Sequence, residues 1–162
     1  MKRPIWMRCK NHALLGLLGG GAYNVIEILW RGHTHWSMFV VGGVCFLLIG
    51  KIHAKAKQWG KGLCCVLSAV AVTAVEFASG CVVNRWLHWN VWDYSFLPFN
   101  LLGQVCLLYS VLWGGLSLVA APLYRLLERQ LVRFDERLFG HKKVRSRHTL
   151  DGQISESGQS AQ

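Results

Sequence analysis

Residues 92–104 read Trp-Asp-Tyr-Ser-Phe-Leu-Pro-Phe-Asn-Leu-Leu-Gly-Gln, and this stretch stands directly before a long apolar run. It combines an acid, a cluster of aromatic side chains and a proline, which is typical of the water boundary of a membrane helix. Two further acids, Glu27 and Glu76, lie inside apolar segments that should reach the same membrane face. We therefore expect one polar layer near that face, with the helices arranged beneath it.

The apolar runs around this stretch are long enough to cross a membrane. Residues 11–121 are dominated by Leu, Val, Gly, Ala and Trp, whereas both ends of the chain are basic. A helix spans a bilayer with about 20 apolar residues, so we expect an all-α integral membrane protein. The predicted transmembrane helices cover residues 13–30, 36–52, 63–80 and 101–121.

The positions of Lys and Arg predict which side of the membrane each connection faces. Basic residues precede the first run, fill the loop between the second and third, and dominate the region after the fourth. The other two connections carry only Arg31 and Arg85. By the positive-inside rule both termini are then cytoplasmic, and residues 31–35 and 81–100 lie outside. The predicted location is the cell (inner) membrane, as a multi-pass protein.

The formal charge of +10 is explained by the same positions. Because most Lys and Arg flank the apolar runs or follow residue 124, they favour anionic lipid headgroups as partners over nucleic acid. Small and polar residues also recur every three or four positions within the runs, which allows close helix packing in lipid and predicts a four-helix bundle. These stripes are Gly16, Gly20, Asn24, Glu27 and Arg31 in the first run and Cys65, Ala69, Thr73, Glu76 and Gly80 in the third.

Residues 84–100 are too many for a plain turn and too polar to span a membrane. Trp86, Trp89 and Trp92 recur at helical spacing. This favours an aromatic helix lying at the membrane interface over a re-entrant or lid-like segment. We expect Pro98 to end this helix and Asn100 to cap the fourth membrane helix.

The pattern changes after Ala121. Residues 122–139 place leucines on one face of a predicted helix and arginines on another, the latter being Arg125, Arg129, Arg133 and Arg137. Such an amphipathic helix suits the cytoplasmic surface of the membrane or a cytoplasmic partner. Residues 140–162 have too little apolar surface to fold, so we expect a disordered tail. The predicted organisation is a transmembrane domain over 1–121, the helix over 122–139 and this tail.

Acids inside membrane helices are costly unless they face protein or water. Glu27 has Arg31 one turn on, and Arg31 or Arg85 could pair with Glu76 or Asp93. In one interpretation these pairs clamp the bundle. In the other they line a cavity that binds or relays a cation, a proton or a polar headgroup. The sequence leaves both open.

Metal binding and catalysis have less support. His33 and His35, with Glu27, Asp93 and His88, could hold a metal, but no third ligand is fixed by spacing, so solvent-exposed histidines are favoured. The six cysteines show no Cys-x-x-Cys spacing. The nucleophile elbow, the His-Glu-x-x-His helix and the ATP-binding loop are all missing from the sequence. We predict no metal, no cofactor and no enzymatic activity.

Several short motifs carry a family resemblance. They resemble a family of small bacterial membrane proteins known as putative ABC-transporter type IV permeases. The resemblance covers about residues 14–118, and the basic C-terminal helix and tail fall outside it. The motifs are Tyr23-Asn24-Val25-Ile26-Glu27, Arg31-Gly32-His33-Thr34-His35-Trp36-Ser37-Met38, Gly42-Gly43, Glu76-Phe77-Ala78-Ser79-Gly80 with Asn84, and Val91-Trp92-Asp93-Tyr94-Ser95 with Pro98, Asn100 and Gly103-Gln104.

This resemblance implies a membrane component of a transport system. An ATPase subunit and a second copy of the chain, forming a homodimer, are the protein partners considered. Because the middle loop, residues 51–61, is short, we expect an ATPase to contact the helix over 122–139. The alternative is a membrane scaffold or interaction protein whose polar residues only clamp the bundle. The predicted polar site comprises Glu27, Arg31, Glu76, Asn84, Asp93, Asn100 and Gln104.

Overall fold

The computed structural model describes the backbone of residues 4–159 and the side chains of residues 4–138. The chain divides into two compact units, Met1–Leu127 and Glu128–Gln162. The first unit contains α1 (Ile5–Arg31), α2 (Trp36–Lys55), a 3-10 turn (Lys57–Trp59) and α3 (Lys61–Gly80), which continues as a π-helical turn (Cys81–Trp86). Two short strands follow, β1 (Asn100–Leu101) and β2 (Val105–Cys106), and then α4 (Leu107–Gln159).

Among the described residues, four helices are long and apolar enough to cross a membrane. They cover Ile5–Arg31, Trp36–Lys55, Lys61–Trp86 and Leu107–Leu138. This confirms the number of membrane helices expected from the sequence. Which side of the membrane each end faces stays a prediction.

Glycines bring α1 and α2 into close contact. A Cβ atom built on Gly43 would lie 2.6 Å from the backbone oxygen of Gly16, and one built on Gly20 would meet the backbone oxygen of Phe39. Since these neighbours are backbone atoms, a larger residue would force the two helices apart. The small residues predicted to seal the bundle therefore do so between α1 and α2.

The loop between α1 and α2 is short and locally capped. Gly32 ends α1 in the left-handed conformation (φ 76°), and its N–H donates to the carbonyl oxygen of Ile28. His35 precedes α2, and its ring Nδ1 accepts a hydrogen bond from the Ser37 backbone N–H. These caps explain why α1 ends and α2 begins close to the predicted positions.

The core of the first unit is formed by α2, α3 and α4. Its buried apolar members are Val41, Cys45, Ile49, Val72 and Ala121. The stripe on α3 also meets α4: the Thr73 hydroxyl donates to that of Ser110 over 2.8 Å, and a Cβ on Gly114 would lie 3.6 Å from that of Ala69. Small and hydroxyl-bearing residues thus mark the α3–α4 contact, as the spacing predicts.

The connection between α3 and α4 differs from the predicted interfacial helix. Residues 87–99 contain only turns and irregular backbone, and a small antiparallel hairpin pairs Asn100 with Cys106 and Leu101 with Val105. Within residues 4–159, the non-glycine residues with positive φ all fall here: His88, Asn90, Phe99 and Leu102. A helix cannot pass through residues in that conformation, so the three-residue spacing of tryptophans misled the prediction.

The fourth membrane helix also begins later than predicted. It starts at Leu107, because residues 100–106 form the hairpin. Asn100 therefore does not cap α4, and that prediction was wrong. Its side chain instead closes the connection: Nδ2 donates to the carbonyl oxygens of Ser95 and Leu97, and Oδ1 accepts from the Gly103 N–H over 3.1 Å.

The helix α4 passes through Pro122 without ending. Arg125, predicted to lie on a lipid or partner surface, is half-buried, and its guanidinium donates to the His53 carbonyl oxygen over 2.7 Å. In the second unit Arg129, Arg133 and Arg137 are exposed. The predicted disordered tail, residues 140–162, lies outside the residues whose side chains are described. The backbone of residues 140–159 is helical, and the tail stays a prediction.

Candidate functional site

A cavity of about 610 Å³ lies between α1 and α4. Its polar lining comes from Glu27 and Arg31 of α1 and from Glu76 of α3. The remaining wall is apolar or aromatic and consists of Tyr23, Ile26, Trp30, Tyr94, Tyr109, Val111, Leu112, Trp113, Gly115 and Leu116. The cavity therefore brings together the two membrane acids that the sequence singled out.

Glu27 is held by two donors. Its Oε1 accepts a hydrogen bond from the Arg31 guanidinium over 2.8 Å, and its Oε2 accepts one from the Thr34 hydroxyl. Arg31 also donates to the carbonyl oxygen of Val91 over 3.0 Å. The Glu27 carboxylate thus ties the end of α1 to the following loop and, through Arg31, to the α3–α4 connection. This is the predicted one-turn ion pair, and it has the geometry of a clamp.

Glu76 lies in a different environment. It is only 4% exposed, and it lines the cavity together with Trp113 of α4. Neither Arg31 nor Arg85 pairs with it, and within residues 4–138 the structure shows no other cation paired with it. Within the described residues, Glu76 is therefore the membrane acid that has no cation paired with it.

Aromatic rings surround these acids. Tyr23 stacks on Trp113 with ring centroids 5.7 Å apart, and Tyr94 stacks on Tyr109 at 4.8 Å. The Trp30 indole N–H donates to the Tyr109 hydroxyl over 3.4 Å. Burial raises the pKa of the Tyr94 phenol, so its hydroxyl remains neutral at ordinary pH.

Asn84 and Gln104 form a separate cluster beside the cavity. Asn84 Nδ2 donates to the Gln104 Oε1 over 2.9 Å and to the Trp92 carbonyl oxygen over 3.0 Å, while Asn84 Oδ1 accepts from the Val91 N–H over 2.7 Å. The Trp92 indole in turn donates to the Gln104 carbonyl oxygen over 3.0 Å. A Cβ on Gly80 would lie 2.6 Å from Gln104 Oε1, so α3 leaves room for this network. The cluster fixes the α3–α4 connection against α3.

Asp93 is exposed and organises a turn. Its Oδ1 accepts hydrogen bonds from the Ser95 N–H over 2.8 Å and from the Ser95 hydroxyl over 2.6 Å. These bonds, the hydroxyl first, lower the pKa of the Asp93 carboxyl. The predicted polar site is therefore divided: Glu27, Arg31 and Glu76 line the cavity, Asn84 and Gln104 lie behind it, and Asp93 and Asn100 shape the turns.

The histidines considered as metal ligands have local roles. His33 Nδ1 lies 3.0 Å from the Arg31 carbonyl oxygen, and His35 caps α2. Within the described part of the chain, no group of three or more His, Cys, Asp or Glu residues could hold a metal ion. The residues at this end of the bundle offer hydrogen bonds, aromatic faces and carboxylates.

Sequence reasoning missed most of the cavity's aromatic lining. Tyr109 and Trp113 are four residues apart on α4, and Tyr23 lies one turn before Glu27 on α1. That spacing places each pair on one helix face. The signal is weak because the chain has 8 Trp and 4 Tyr, and only the α1–α4 packing shows which of them meet.

One comparison with known protein families shows the family of this chain. A family model described as putative ABC-transporter type IV matches residues 22–141. The chain belongs to this family. No curated protein and no solved structure gives a significant match to this chain.

The ABC-transporter type IV match covers more of the C-terminal region than the sequence motifs indicated. It extends to residue 141, so the basic helix over 122–139 lies inside it, and the expectation that this helix falls outside was wrong. The resemblance stops near residue 118 because the later sequence is a repetitive Leu and Arg pattern with no distinctive short string. The family match includes every residue that lines the cavity, and membership supports a transport-related role for a multi-pass membrane protein.

Proposed function

We propose that this protein is a permease-like, non-enzymatic membrane component of a transport system and that the cavity between α1 and α4 is its ligand site. The observation that supports this most is Glu76. A carboxylate within a membrane helix is costly unless it is paired or faces a polar ligand or water. Glu76 borders the cavity, and among residues 4–138 no cation is paired with it. A role in binding accounts for its position better than a role in packing.

The orientation follows from charge. The end of the bundle that carries residues 32–35 and 87–106 is poor in Lys and Arg, whereas the opposite end carries the basic middle loop. By the positive-inside rule the cavity then faces the extracytoplasmic side, and both termini are cytoplasmic. On the cytoplasmic side, Arg129, Arg133 and Arg137 are exposed and available to anionic lipids or an ATPase subunit.

A scaffold is the second function considered, and the Glu27 network favours it. Glu27, Arg31, Thr34 and the Val91 carbonyl oxygen satisfy one another, which is what a structural clamp requires. The two functions therefore assign different roles to the two acids. In the transport proposal Glu27 supports the cavity and Glu76 binds, whereas in the scaffold both are structural.

The proposal can be tested in cells of the native host in which the gene is replaced by variants. Glu76→Gln removes the charge. Gly115→Trp fills the cavity, since a Cβ on Gly115 meets nothing within 4 Å. Gly62→Trp is the matched control, because its Cβ also meets no atom within 4 Å and Gly62 does not line the cavity. The measurement is an untargeted mass-spectrometric comparison of small molecules inside the cells and in the medium.

We expect both cavity variants to reproduce the change in small-molecule distribution caused by deleting the gene, while Gly62→Trp matches the wild type. Protein levels in the membrane are measured alongside. If the deletion changes the distribution and both cavity variants, present at wild-type levels, do not, the cavity is not the ligand site. If a deletion phenotype appears only when residues 122–139 are removed, the scaffold function is the better account.

A further inference from the structure

Aromatic side chains make up much of the cavity wall. Five of them line it: Tyr23, Trp30, Tyr94, Tyr109 and Trp113. The Tyr23–Trp113 and Tyr94–Tyr109 pairs are each nearly parallel, with interplanar angles of 16° and 22°. Aromatic faces carry partial negative charge, so a wall rich in aromatic side chains favours an organic ammonium ion.

The charged groups around the cavity also favour a cationic ligand. Arg31 is engaged by Glu27 and by the Val91 carbonyl oxygen, whereas no cation is paired with Glu76 in the part of the chain that the structure describes. An anionic ligand would meet two carboxylates and a guanidinium that is already paired. A cation would meet an acidic side chain that has no cation paired with it, so charge complementarity favours a cation.

The cavity wall away from the acids is suited to an alkyl chain. Ile26 is 49% exposed, Val111 64% and Leu112 51%, and all three lie on helices long enough to span the membrane. Apolar side chains exposed on such helices face lipid acyl chains. The part of the cavity wall formed by these three side chains is therefore apolar and exposed on membrane-length helices.

We propose that the cavity binds single-chain amphiphiles that carry an organic ammonium group. The ammonium group lies against Glu76 and the aromatic rings, and the alkyl chain follows the apolar wall between α1 and α4. A volume of about 610 Å³ is in the range of sites for single small molecules, which favours one chain over a two-chain lipid. This inference rests on the proposed function, in which the cavity is the ligand site.

The test uses the full chain in neutral maltoside micelles and isothermal titration calorimetry. The probe is decyltrimethylammonium, and decyl sulfate has the same chain with the opposite charge. We expect the wild type to bind decyltrimethylammonium at least about tenfold more tightly than decyl sulfate, and Glu76→Gln to reduce this preference about tenfold. Gly115→Trp should abolish binding of the ammonium probe, and the Gly62→Trp control should bind as the wild type does.

The outcomes distinguish an error in the proposed ligand class from an error in the proposed site. If both probes bind equally and Glu76→Gln changes neither, the ammonium proposal is overturned. If Gly115→Trp then still abolishes binding of both, the cavity remains a ligand site for another class of compound. If Gly115→Trp, folded as judged by its melting curve, leaves binding of both probes intact, the proposed site is overturned as well.

The same purified protein distinguishes two other occupants of the cavity, a two-chain lipid and a second copy of the chain. Dioleoylphosphatidylcholine carries the same ammonium group on two chains. If it displaces the probe at equal or lower concentration, the occupant is a lipid and the single-chain part of the proposal is overturned. If the wild type is a dimer that neither probe enters and that Gly115→Trp dissociates, a second copy covers the cavity and the proposal is overturned.

Discussion

Asn84 is the residue whose replacement should most clearly detach the α3–α4 connection. It is 7% exposed, and its side-chain amide joins the Val91 N–H, the Trp92 carbonyl oxygen and the Gln104 side chain. Those partners come from both halves of the connection between the π-helical turn and α4. Asn84→Ala would remove all three hydrogen bonds and leave the buried Gln104 Oε1 without the Asn84 donor.

The magnitude follows from these contacts. A typical hydrogen bond contributes about 1 kcal/mol net, so three of them give about 3 kcal/mol, and an unsatisfied buried oxygen adds to the loss. A free-energy change of about 3 kcal/mol raises the population of the open connection roughly 100-fold. The rest of the bundle should stay folded, because the α1–α2 contact and the core of α2, α3 and α4 do not involve Asn84.

Limited proteolysis with trypsin reports this opening. Arg85 is exposed but lies within the π-helical turn, so cleavage there requires the turn to unfold locally. When opening is fast relative to cleavage, the rate follows the open population. We expect Asn84→Ala to be cut at Arg85 roughly 100-fold faster than the wild type. A rate within about threefold of the wild type would refute the assigned role of the network.

Three further predictions concern the helices, the acids and the turn. Gly43→Ala should lower stability by about 1–3 kcal/mol, because the new Cβ would lie 2.6 Å from the Gly16 oxygen; thermal unfolding in detergent measures it. Glu27→Gln should lower stability by about 1.5–3 kcal/mol through loss of the Arg31 ion pair, whereas Glu76→Gln should leave the melting temperature unchanged or raise it. The Ser95 amide resonance should titrate with a midpoint below 3.8, the usual value for an Asp carboxyl, and Asp93→Asn should abolish that step.

Each of these has an outcome that contradicts it. Gly62→Ala is matched to Gly43→Ala and should stabilise by up to about 1 kcal/mol, since its Cβ meets nothing; equal effects at both sites would rule out close α1–α2 packing as the cause. Equal destabilisation by Glu27→Gln and Glu76→Gln would support the scaffold. For Asp93 the pKa is lowered, so its stabilisation is present above pH 3.8 and is lost as pH falls through the folded value; a midpoint above 3.8 contradicts the Ser95 contacts.

The membrane helices were predictable because one physical quantity decides them. A run of apolar residues long enough to span the bilayer stands out in the sequence. The small-residue stripe of α1 packs closely against α2, where Gly16 meets Gly43. The connection between α3 and α4 was not predictable in this way. Its conformation depends on Asn84 bonding to Gln104, 20 residues later, and on Phe99 and Leu102 adopting positive φ, which their side chains do not signal.

The candidate site also has residues that were predictable from the sequence and residues that were not. Glu27 and Glu76 were found because acids within apolar runs are rare, and Arg31 because it lies one turn from Glu27. Asp93 was grouped with them because its connection was predicted at the same membrane face, yet among the described residues its carboxylate bonds only to Ser95. The aromatic lining could not be assigned, because it depends on how α1 and α4 approach each other rather than on any local pattern.

The central claim is that the cavity between α1 and α4 holds a ligand. Native mass spectrometry of the full chain, released from host membranes in mild detergent, tests it most directly. The wild type and the Gly62→Trp control should carry the same bound small molecule, and Gly115→Trp, which fills the cavity, should carry none. Retention of that molecule by Gly115→Trp at wild-type occupancy would contradict the claim.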